Sequence, residues 1–265
     1  MRRTSTMVML VLLAYATFAG SEIAESGTAL VAQASAKPAR SATLDEVVDK
    51  YVQAVGGKDA IQKVTSRVMT GSIESPATGD AGSLVPGAIE VDEKAPNKRV
   101  VDIIFPGTGE DHQGFDGVSG WFVDPDEGPQ DLPAAALPSV KLESEFYREI
   151  HLRDLFPKMA LKGTTKVNGQ DAVVVEAPHA DGTIEAFYFD AASGLLVRDD
   201  VPVDVPDEGH TTVENDFSDY RDVDGVKLPF AIHQTSPDFE YIIKFKEIRQ
   251  NVPIDDAKFQ KPKGQ

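Results

Sequence analysis

The residues best suited to proton transfer or metal binding are five histidines, and they are scattered along the chain at His112, His151, His179, His210 and His233. No two are two or four positions apart, the spacings at which a strand or a helix would present both to one metal ion, and no His-Glu-x-x-His segment occurs. The absence of cysteine excludes disulfides, thiol catalysis, zinc–thiolate sites and iron–sulfur clusters. The sequence therefore predicts no metal site and no cofactor.

Segments that could supply a nucleophile or hold phosphate do not stand out either. No Gly-x-Ser-x-Gly elbow occurs, and Ser119-Gly120 and Ser193-Gly194 stand where hairpin turns are expected. Gly107-Thr-Gly109 is followed by Glu and Asp, whose charges would repel phosphate. No catalytic residue is predicted. An undetected hydrolase stays open as an alternative, with a carboxylate pair or a histidine–acid pair around His112 or His233.

One acidic segment, Asp219 to Gly225, has the composition of a calcium-binding loop. If Gly225 took the sixth position of an EF-hand, the first position would fall on Tyr220 and the twelfth on Ala231. Both positions need oxygen ligands that these side chains do not supply, so the EF-hand interpretation fails. The acid-rich stretches 124–127 and 199–208 are expected to be solvated loops, and loose calcium binding by them stays open as an alternative.

Length and charge narrow the class of protein. The 265 residues include 43 acidic and 26 basic side chains, which gives a formal net charge of −17 and a pI of about 4.6. Such a chain is repelled by nucleic acid and by anionic membrane surfaces, and its only adjacent basic pairs are Arg2-Arg3 and Lys98-Arg99. The length fits one β-rich domain, large enough to bury a core without disulfides or metals. We expect no nucleic-acid partner.

Residues 1–34 are predicted to be an export signal peptide. An arginine pair precedes the apolar stretch 7–19, which is too short to span a bilayer core but has the length of a signal h-region. Small-residue sites allow cleavage after Ala19 or after Ala34, and both stay open. Residues 35–42 are predicted to be a flexible lead-in. We expect a periplasmic or secreted protein with no stable membrane span after cleavage.

The hydrophobic period predicts two helical regions and an otherwise β-rich chain. Thr43 and Glu46 form a capping box before apolar residues at helical spacing, so helices are expected near 43–64 and again near 133–156. Elsewhere the period is two, and dipeptides such as Asn168-Gly169 and Asp224-Gly225 indicate hairpin turns. Strands are predicted near 66–74, 87–94, 98–105, 109–115, 118–124, 158–167, 171–178, 183–190, 194–200, 210–221, 226–236 and 239–249. We predict an α+β fold that is mainly an antiparallel meander, as one domain over residues 43–262.

Several predicted strands are more apolar than a half-buried strand needs to be. In the run from Phe239 to Arg249 aromatic and aliphatic residues share one face, and the strand near 183–190 is apolar on both faces. A doubly apolar strand needs a helix, a second sheet or a ligand on its other side. The predicted helices could fill that space. Otherwise the concave face of a partly open barrel could hold an apolar ligand, with the candidate lining Trp121, Phe187, Phe189, Tyr241, Ile243 and Phe245.

Four segments resemble a group of exported bacterial proteins, the outer-membrane lipoprotein-sorting (LolA/LolB-like) proteins and related uncharacterised envelope proteins of acidobacterial type. The segments are Tyr51–Gly57, Tyr188–Arg198, Asp219–Phe230 and Asn251–Pro262. The resemblance implies a curved, unclosed β-barrel capped by helices, whose hollow apolar face holds acyl chains of a lipid or a lipoprotein. No binding residue of the family matches a motif in this sequence.

The sequence thus leads to a non-enzymatic carrier or chaperone for a hydrophobic ligand or lipoprotein. Two alternatives stay open beside it. One is a structural module of the envelope that binds a protein partner along a sheet edge and takes no small ligand. The other is the undetected hydrolase.

Overall fold

The computed structural model describes residues 42–76, 84–107, 109–205, 209–237 and 239–263. The predicted signal peptide 1–34 lies outside the described residues, as does all of the predicted lead-in 35–42 except Ala42. The helices are α1 Leu44–Ala54, α2 Lys58–Ile61, α3 Leu137–Glu143, α4 Arg148–Leu155 and a short 3-10 helix Asp256–Phe259.

Helix α1 begins at the capping box predicted from the sequence. The Glu46 N–H donates to Thr43 Oγ1 at 3.2 Å, and the Thr43 N–H donates to Glu46 Oε2 at 2.8 Å. The helix buries Val47, Val48 and Tyr51, which share one face at helical spacing. It therefore packs by this apolar stripe against the sheet.

The remaining elements are strands. In chain order they are β1 Ser66–Pro76, β2 Leu84–Lys94, β3 Lys98–Phe105, β4 Gly109–Phe115, β5 Gly120–Asp124, β6 Gly128–Asp131, β7 Ala160–Val167, β8 Gln170–Pro178, β9 Ile184–Asp190, β10 Leu196–Val205, β11 Gly209–Val223, β12 Val226–Thr235 and β13 Glu240–Gln250.

All the strands form one 13-stranded sheet in the order β6-β5-β4-β3-β2-β1-β13-β12-β11-β10-β9-β8-β7. Neighbouring strands are antiparallel throughout the described sheet, so two meanders, β1–β6 and β7–β13, meet at the β1–β13 pair in the middle. Helices α3 and α4 connect the two outer strands, β6 and β7. Within the described ranges β6 and β7 each pair on one side only, so the sheet is unclosed. The predicted α+β fold with an unclosed antiparallel sheet is confirmed.

The turns follow the predicted chemistry. Asn168 and Gly169 both have positive φ, at 49° and 83°, and so do Asp224 and Gly225, at 51° and 88°. Two successive residues with positive φ match the twist of the flanking strands in a two-residue hairpin. Close to the second turn, a Cβ at Gly56 would lie 2.2 Å from Gly225 O, so only glycine lets the end of α1 approach this turn.

The structure differs from the predicted elements in two places. The strand β6 is additional, because no strand was predicted between residues 124 and 158. Strand β10 continues to Val205, so residues 199–205 are not the solvated loop that their charges suggested. Asp199 is in fact buried, at 6% exposure, because its strand is paired on both sides and its side chain faces the core.

Candidate ligand-binding cavity

A cavity of about 350 Å³ lies between the helices and the buried face of the sheet. Its walls include Val101 of β3 and Phe187 of β9, which are seven strand positions apart in the sheet. In a flat sheet these strands would be separated by roughly 30 Å, because neighbouring strands lie about 4.8 Å apart. Both residues can border one cavity only because the sheet curves around it. The volume falls at the lower end of the range of about 300–1,000 Å³ typical of ligand pockets.

The apolar wall comes from alternate residues of β9 and β13. Phe187 and Phe189 are each 2% exposed, and Ile243 and Phe245 are each 7% exposed. Period-two alternation places each pair on the cavity face of its strand. The Phe189 ring packs against Tyr51 of α1, with the ring centroids 5.1 Å apart. These four residues belong to the six-residue lining predicted from the sequence, and all four line the cavity.

The other two predicted lining residues lie elsewhere. Tyr241 is buried on the cavity face of β13, but it packs against the Phe239 ring at 5.0 Å and does not border the cavity. Trp121 lies on the opposite face of the sheet, in a cluster with Val100 and Phe259. Its indole N–H donates to Phe259 O at 2.8 Å, so the C-terminal segment covers this face. Ligand contact by the four residues of the wall stays a prediction.

Charged side chains interrupt the apolar wall across strands β1, β2 and β3. Arg67, Glu93 and Arg99 stand opposite one another in register, and we call this row the arginine ladder. Arg67 Nη1 donates to Glu93 Oε2 at 2.9 Å, and Arg99 Nε lies 3.8 Å from Glu93 Oε1. Arg99 Nη1 also lies 3.8 Å from Oε2 of Glu143 in α3. Burial raises the pKa of Glu143 to about 7, although the charge of Arg99 acts to lower it. The ladder thus joins the sheet to the helices above it.

A second polar row crosses β10, β11 and β12. The Asn215 side-chain amide donates to Asp199 Oδ1 at 2.7 Å, and the Gln234 amide donates to Asn215 Oδ1, also at 2.7 Å. All three residues line the cavity. Burial raises the pKa of Asp199 to about 7, and the nearby carboxylate of Glu185 raises it further. The surroundings of Asp199 therefore favour its protonated form.

Arg148, the first residue of α4, also lines the cavity. It forms an ion pair with Glu185, which is 1% exposed, and its guanidinium lies 5.6 Å from the centre of the Phe187 ring. His179 Nε2 lies 3.1 Å from the second oxygen of Glu185. Burial acts to lower the pKa of Arg148, but the carboxylates of Glu185 and Asp199 outweigh it and raise that pKa. The buried carboxylate of Glu185 is thus held between the Arg148 guanidinium and the His179 ring.

Sequence reasoning missed these polar wall residues for different reasons. Glu185 had a signal, because it alternates with Phe187 and Phe189 on an apolar face, where an acid needs a partner. Asp199 falls at the end of the predicted strand 194–200 and also in the acidic stretch 199–208, whose charges predicted exposure to solvent. Arg67 and Arg99 had no signal, since only the register of three strands brings them together around Glu93.

Two histidine–acid pairs lie outside the cavity. His112 pairs with Asp102 and packs against the Trp121 ring at 4.7 Å, on the face opposite the cavity. His233 Nε2 lies 2.7 Å from Glu240 Oε1, and both side chains are exposed. These are the two histidines around which a hydrolytic site was considered, and neither borders the cavity.

Three carboxylates come together on the outer face of β2 and β3, at Glu90, Asp92 and Asp102. The Lys258 ammonium donates to Glu90 Oε1 at 2.6 Å and also forms an ion pair with Asp92. A lysine from the C-terminal segment thus already supplies a positive charge to this acidic group.

In the described part of the chain, no helix combines the length and apolar character needed to cross a membrane.

No protein-family model matches the sequence, and no curated protein sequence matches it. Solved structures do match. A DUF1329 family protein from Desulfovibrio piger superposes with a TM-score of 0.57 at 13% identity, over 83% of this chain and 98% of that chain. A LolA superfamily protein from Nitrosomonas europaea gives 0.54 at 11% identity, over 83% and 98%. A candidate outer membrane lipoprotein-sorting protein domain from Vibrio parahaemolyticus gives 0.53 at 11% identity, over 80% and 97%.

At these identities the likeness establishes the fold. The LolA-like resemblance noted in the sequence is confirmed at that level: the chain has the unclosed antiparallel fold of the LolA superfamily and DUF1329 structures that it matches.

Proposed function

We propose that this protein is a non-enzymatic carrier or chaperone that binds a hydrophobic ligand, such as a lipid or the acyl chains of a lipoprotein, in the cavity of its curved sheet. The observation that carries the proposal is the cavity lined by apolar side chains. Phe187, Phe189 and Phe245 are almost fully buried, and they line a space of about 350 Å³. Protein interiors are close-packed, so an apolar space of this size is a place for a ligand.

The fold supports the same conclusion. Two of the matching structures are a LolA superfamily protein and a candidate lipoprotein-sorting domain, which makes a lipoprotein a reasonable ligand class to test. The apolar stretch 7–19 behind an arginine pair supports export, so we place the carrier in the periplasm or outside the cell.

A protein partner is a second candidate, favoured by the edges of the sheet. Strand β7 pairs with β8 on one side only within the described residues, and most of its side chains are exposed. A free edge can pair with an extended segment of another protein. An envelope partner bound in this way is compatible with a ligand in the cavity.

Native mass spectrometry of protein purified from the periplasm, followed by organic extraction, tests the carrier function. We expect a stoichiometric adduct that carries an acyl chain. The variant Val101→Trp places a large ring at a half-buried position in the cavity wall and should abolish the adduct. The control Val123→Trp makes the same change at a half-buried valine in the Trp121 cluster on the opposite face, and should retain it. A clean apo mass that stays unchanged after incubation with lipids and lipopeptides would contradict the proposal.

A further inference from the structure

The arginine ladder lies at one end of the sheet. Arg67 is the second residue of β1 and Arg99 the second of β3, whereas Glu93 is the last but one of β2. Because neighbouring strands run in opposite directions, these positions fall at the same end. Gln250, the last residue of β13, stands directly opposite Arg67 and projects to the same face. The cavity therefore has a polar end, lined by Arg67, Glu93, Arg99 and Glu149 of α4, with the buried Gln250 beside Arg67.

Several polar atoms at this end have no hydrogen-bond partner among the residues that the structure describes. They are the Nε atoms of Arg67 and Arg99, Oε2 of Glu149 and both side-chain amide atoms of Gln250. Arg67 and Gln250 are 9% and 7% exposed, so these groups are largely removed from bulk solvent. An unmatched buried donor or acceptor destabilises a protein, and a ligand that matches it gains affinity. These atoms include hydrogen-bond donors, on the arginines and the Gln250 amide, and acceptors, on Glu149 and the Gln250 amide.

The charges at this end nearly balance. The two guanidinium groups of Arg67 and Arg99 face the carboxyl groups of Glu93, Glu143 and Glu149. An anionic head group would lie among the carboxylates, whereas an ammonium group would lie beside two guanidiniums. Either charge would be partly repelled in a site shielded from water. An uncharged group that both donates and accepts hydrogen bonds avoids both repulsions.

From these contacts we infer that the polar end of the cavity selects the head group of the ligand, and that it prefers an uncharged head rich in hydroxyl or amide groups over an anionic or a cationic one. The apolar wall would then hold the chain. This inference rests on the proposed carrier function and specifies the class of amphiphile that the cavity takes.

Three probes with the same twelve-carbon chain test the inference: monolaurin with a glycerol head, laurate and dodecylamine. Their affinities for the full chain are measured by displacement of a fluorescent fatty-chain probe. We expect monolaurin to bind about tenfold more tightly than either charged probe, the effect of about one well-placed hydrogen bond to a charged group. Equal affinities, or tighter binding of laurate, would overturn the inference while leaving the carrier function intact. Failure of all three probes to bind would overturn both.

Two substitutions give the test a readout that a general loss of structure would not produce. Arg99→Met removes a cation, so it should weaken monolaurin binding and shift the preference toward dodecylamine. Glu149→Gln removes an anion and should shift the preference toward laurate. Arg198→Met is the matched control, because Arg198 has the same 25% side-chain exposure as Arg99 but lies on the outer face, paired with Asp216. If all three variants changed the ranking of the probes in the same way, the inference would be wrong.

Discussion

Two aromatic clusters, on opposite faces of the same sheet, have similar sequence patterns and different tertiary surroundings. On the concave face Phe187 and Phe189 border a cavity beneath helices α1 and α4. On the convex face Trp121 and Val100 are packed tightly under Phe259, which the C-terminal segment brings across the strands. The helices leave space above the concave face, whereas the short C-terminal segment fits its cluster closely. Apolar alternation thus identifies a face that must be covered, and the covering segment decides whether that face is filled or hollow.

The largest expected effect comes from removing the Phe259 side chain, which covers Trp121 and Val100 on the convex face. Phe259 is fully buried, and Phe259→Ala should reduce the free energy of unfolding by about 3–5 kcal/mol, because it leaves a cavity among tightly packed groups. The chain has one tryptophan, so the fluorescence of Trp121 reports on this cluster alone and should shift to longer wavelength. Urea unfolding followed by fluorescence and by circular dichroism measures both effects.

Its counterpart on the concave face is Phe187→Ala. Phe187 is 2% exposed but lines the cavity, so the space that the substitution leaves is continuous with the cavity and open to water. We therefore expect a smaller reduction of about 2–3 kcal/mol, with no shift in tryptophan emission. Equal reductions in the free energy of unfolding for Phe259→Ala and Phe187→Ala would mean that the two faces are packed alike. The proposed difference between a close-packed convex cluster and a concave cluster beside a cavity would then be wrong.

A smaller effect should depend on pH. The folded protein raises the pKa of Asp199 to about 7, against an ordinary value near 4. As pH rises from about 4 to about 7, the unfolded chain loses this proton first, so the wild-type free energy of unfolding should fall by something on the order of 2 kcal/mol. Asp199→Asn keeps the acceptor for Asn215 but cannot ionise. It should therefore be more stable than the wild type above about pH 7 and should lose this advantage near pH 4.

The outer face provides the control for this pH dependence. Asp216 is opposite Arg198 on the neighbouring strand and accepts two hydrogen bonds from it. Asp216→Asn removes an ion pair, so it should lower stability by about 0.5–1 kcal/mol near neutral pH. Chemical denaturation of each variant across the pH range separates the two behaviours. A gain in stability from Asp216→Asn at high pH would show that the effect is general and does not belong to the concave face.

An effect of similar small size tests helix α1, which covers the concave face. Thr43→Ala removes the side-chain cap of α1 and should reduce the free energy of unfolding by about 1 kcal/mol, while Thr43→Ser, which keeps the hydroxyl, should change it little. Hydrogen exchange should accelerate in the first turn of α1, and Trp121 emission should stay the same. A shift in that emission would mean that α1 also supports the convex cluster.

Most of the fold was predictable because its signals are local. The capping box of Thr43 and Glu46, the turns at Asn168-Gly169 and Asp224-Gly225, and the period-two runs all depend on neighbours in the sequence. Strand β6 and the continuation of β10 to Val205 were not predicted, because both segments contain residues that favour loops, namely glycine, proline and aspartate. Pairing with neighbouring strands overrides that preference in both segments. Of the six predicted lining residues, Phe187, Phe189, Ile243 and Phe245 followed from alternation along β9 and β13.

By itself the amino-acid sequence determined that this chain is acidic and free of cysteine, forms a mainly antiparallel fold, and has strands too apolar to remain uncovered. Only the tertiary structure decided that Trp121 is covered by Phe259 while Phe187 faces a cavity. It also decided that Arg67 and Arg99 meet around Glu93 at one end of that cavity. The physical reason is that alternation depends on adjacent residues, whereas cover and register depend on strands and segments that are far apart in the sequence and meet only when the sheet curves.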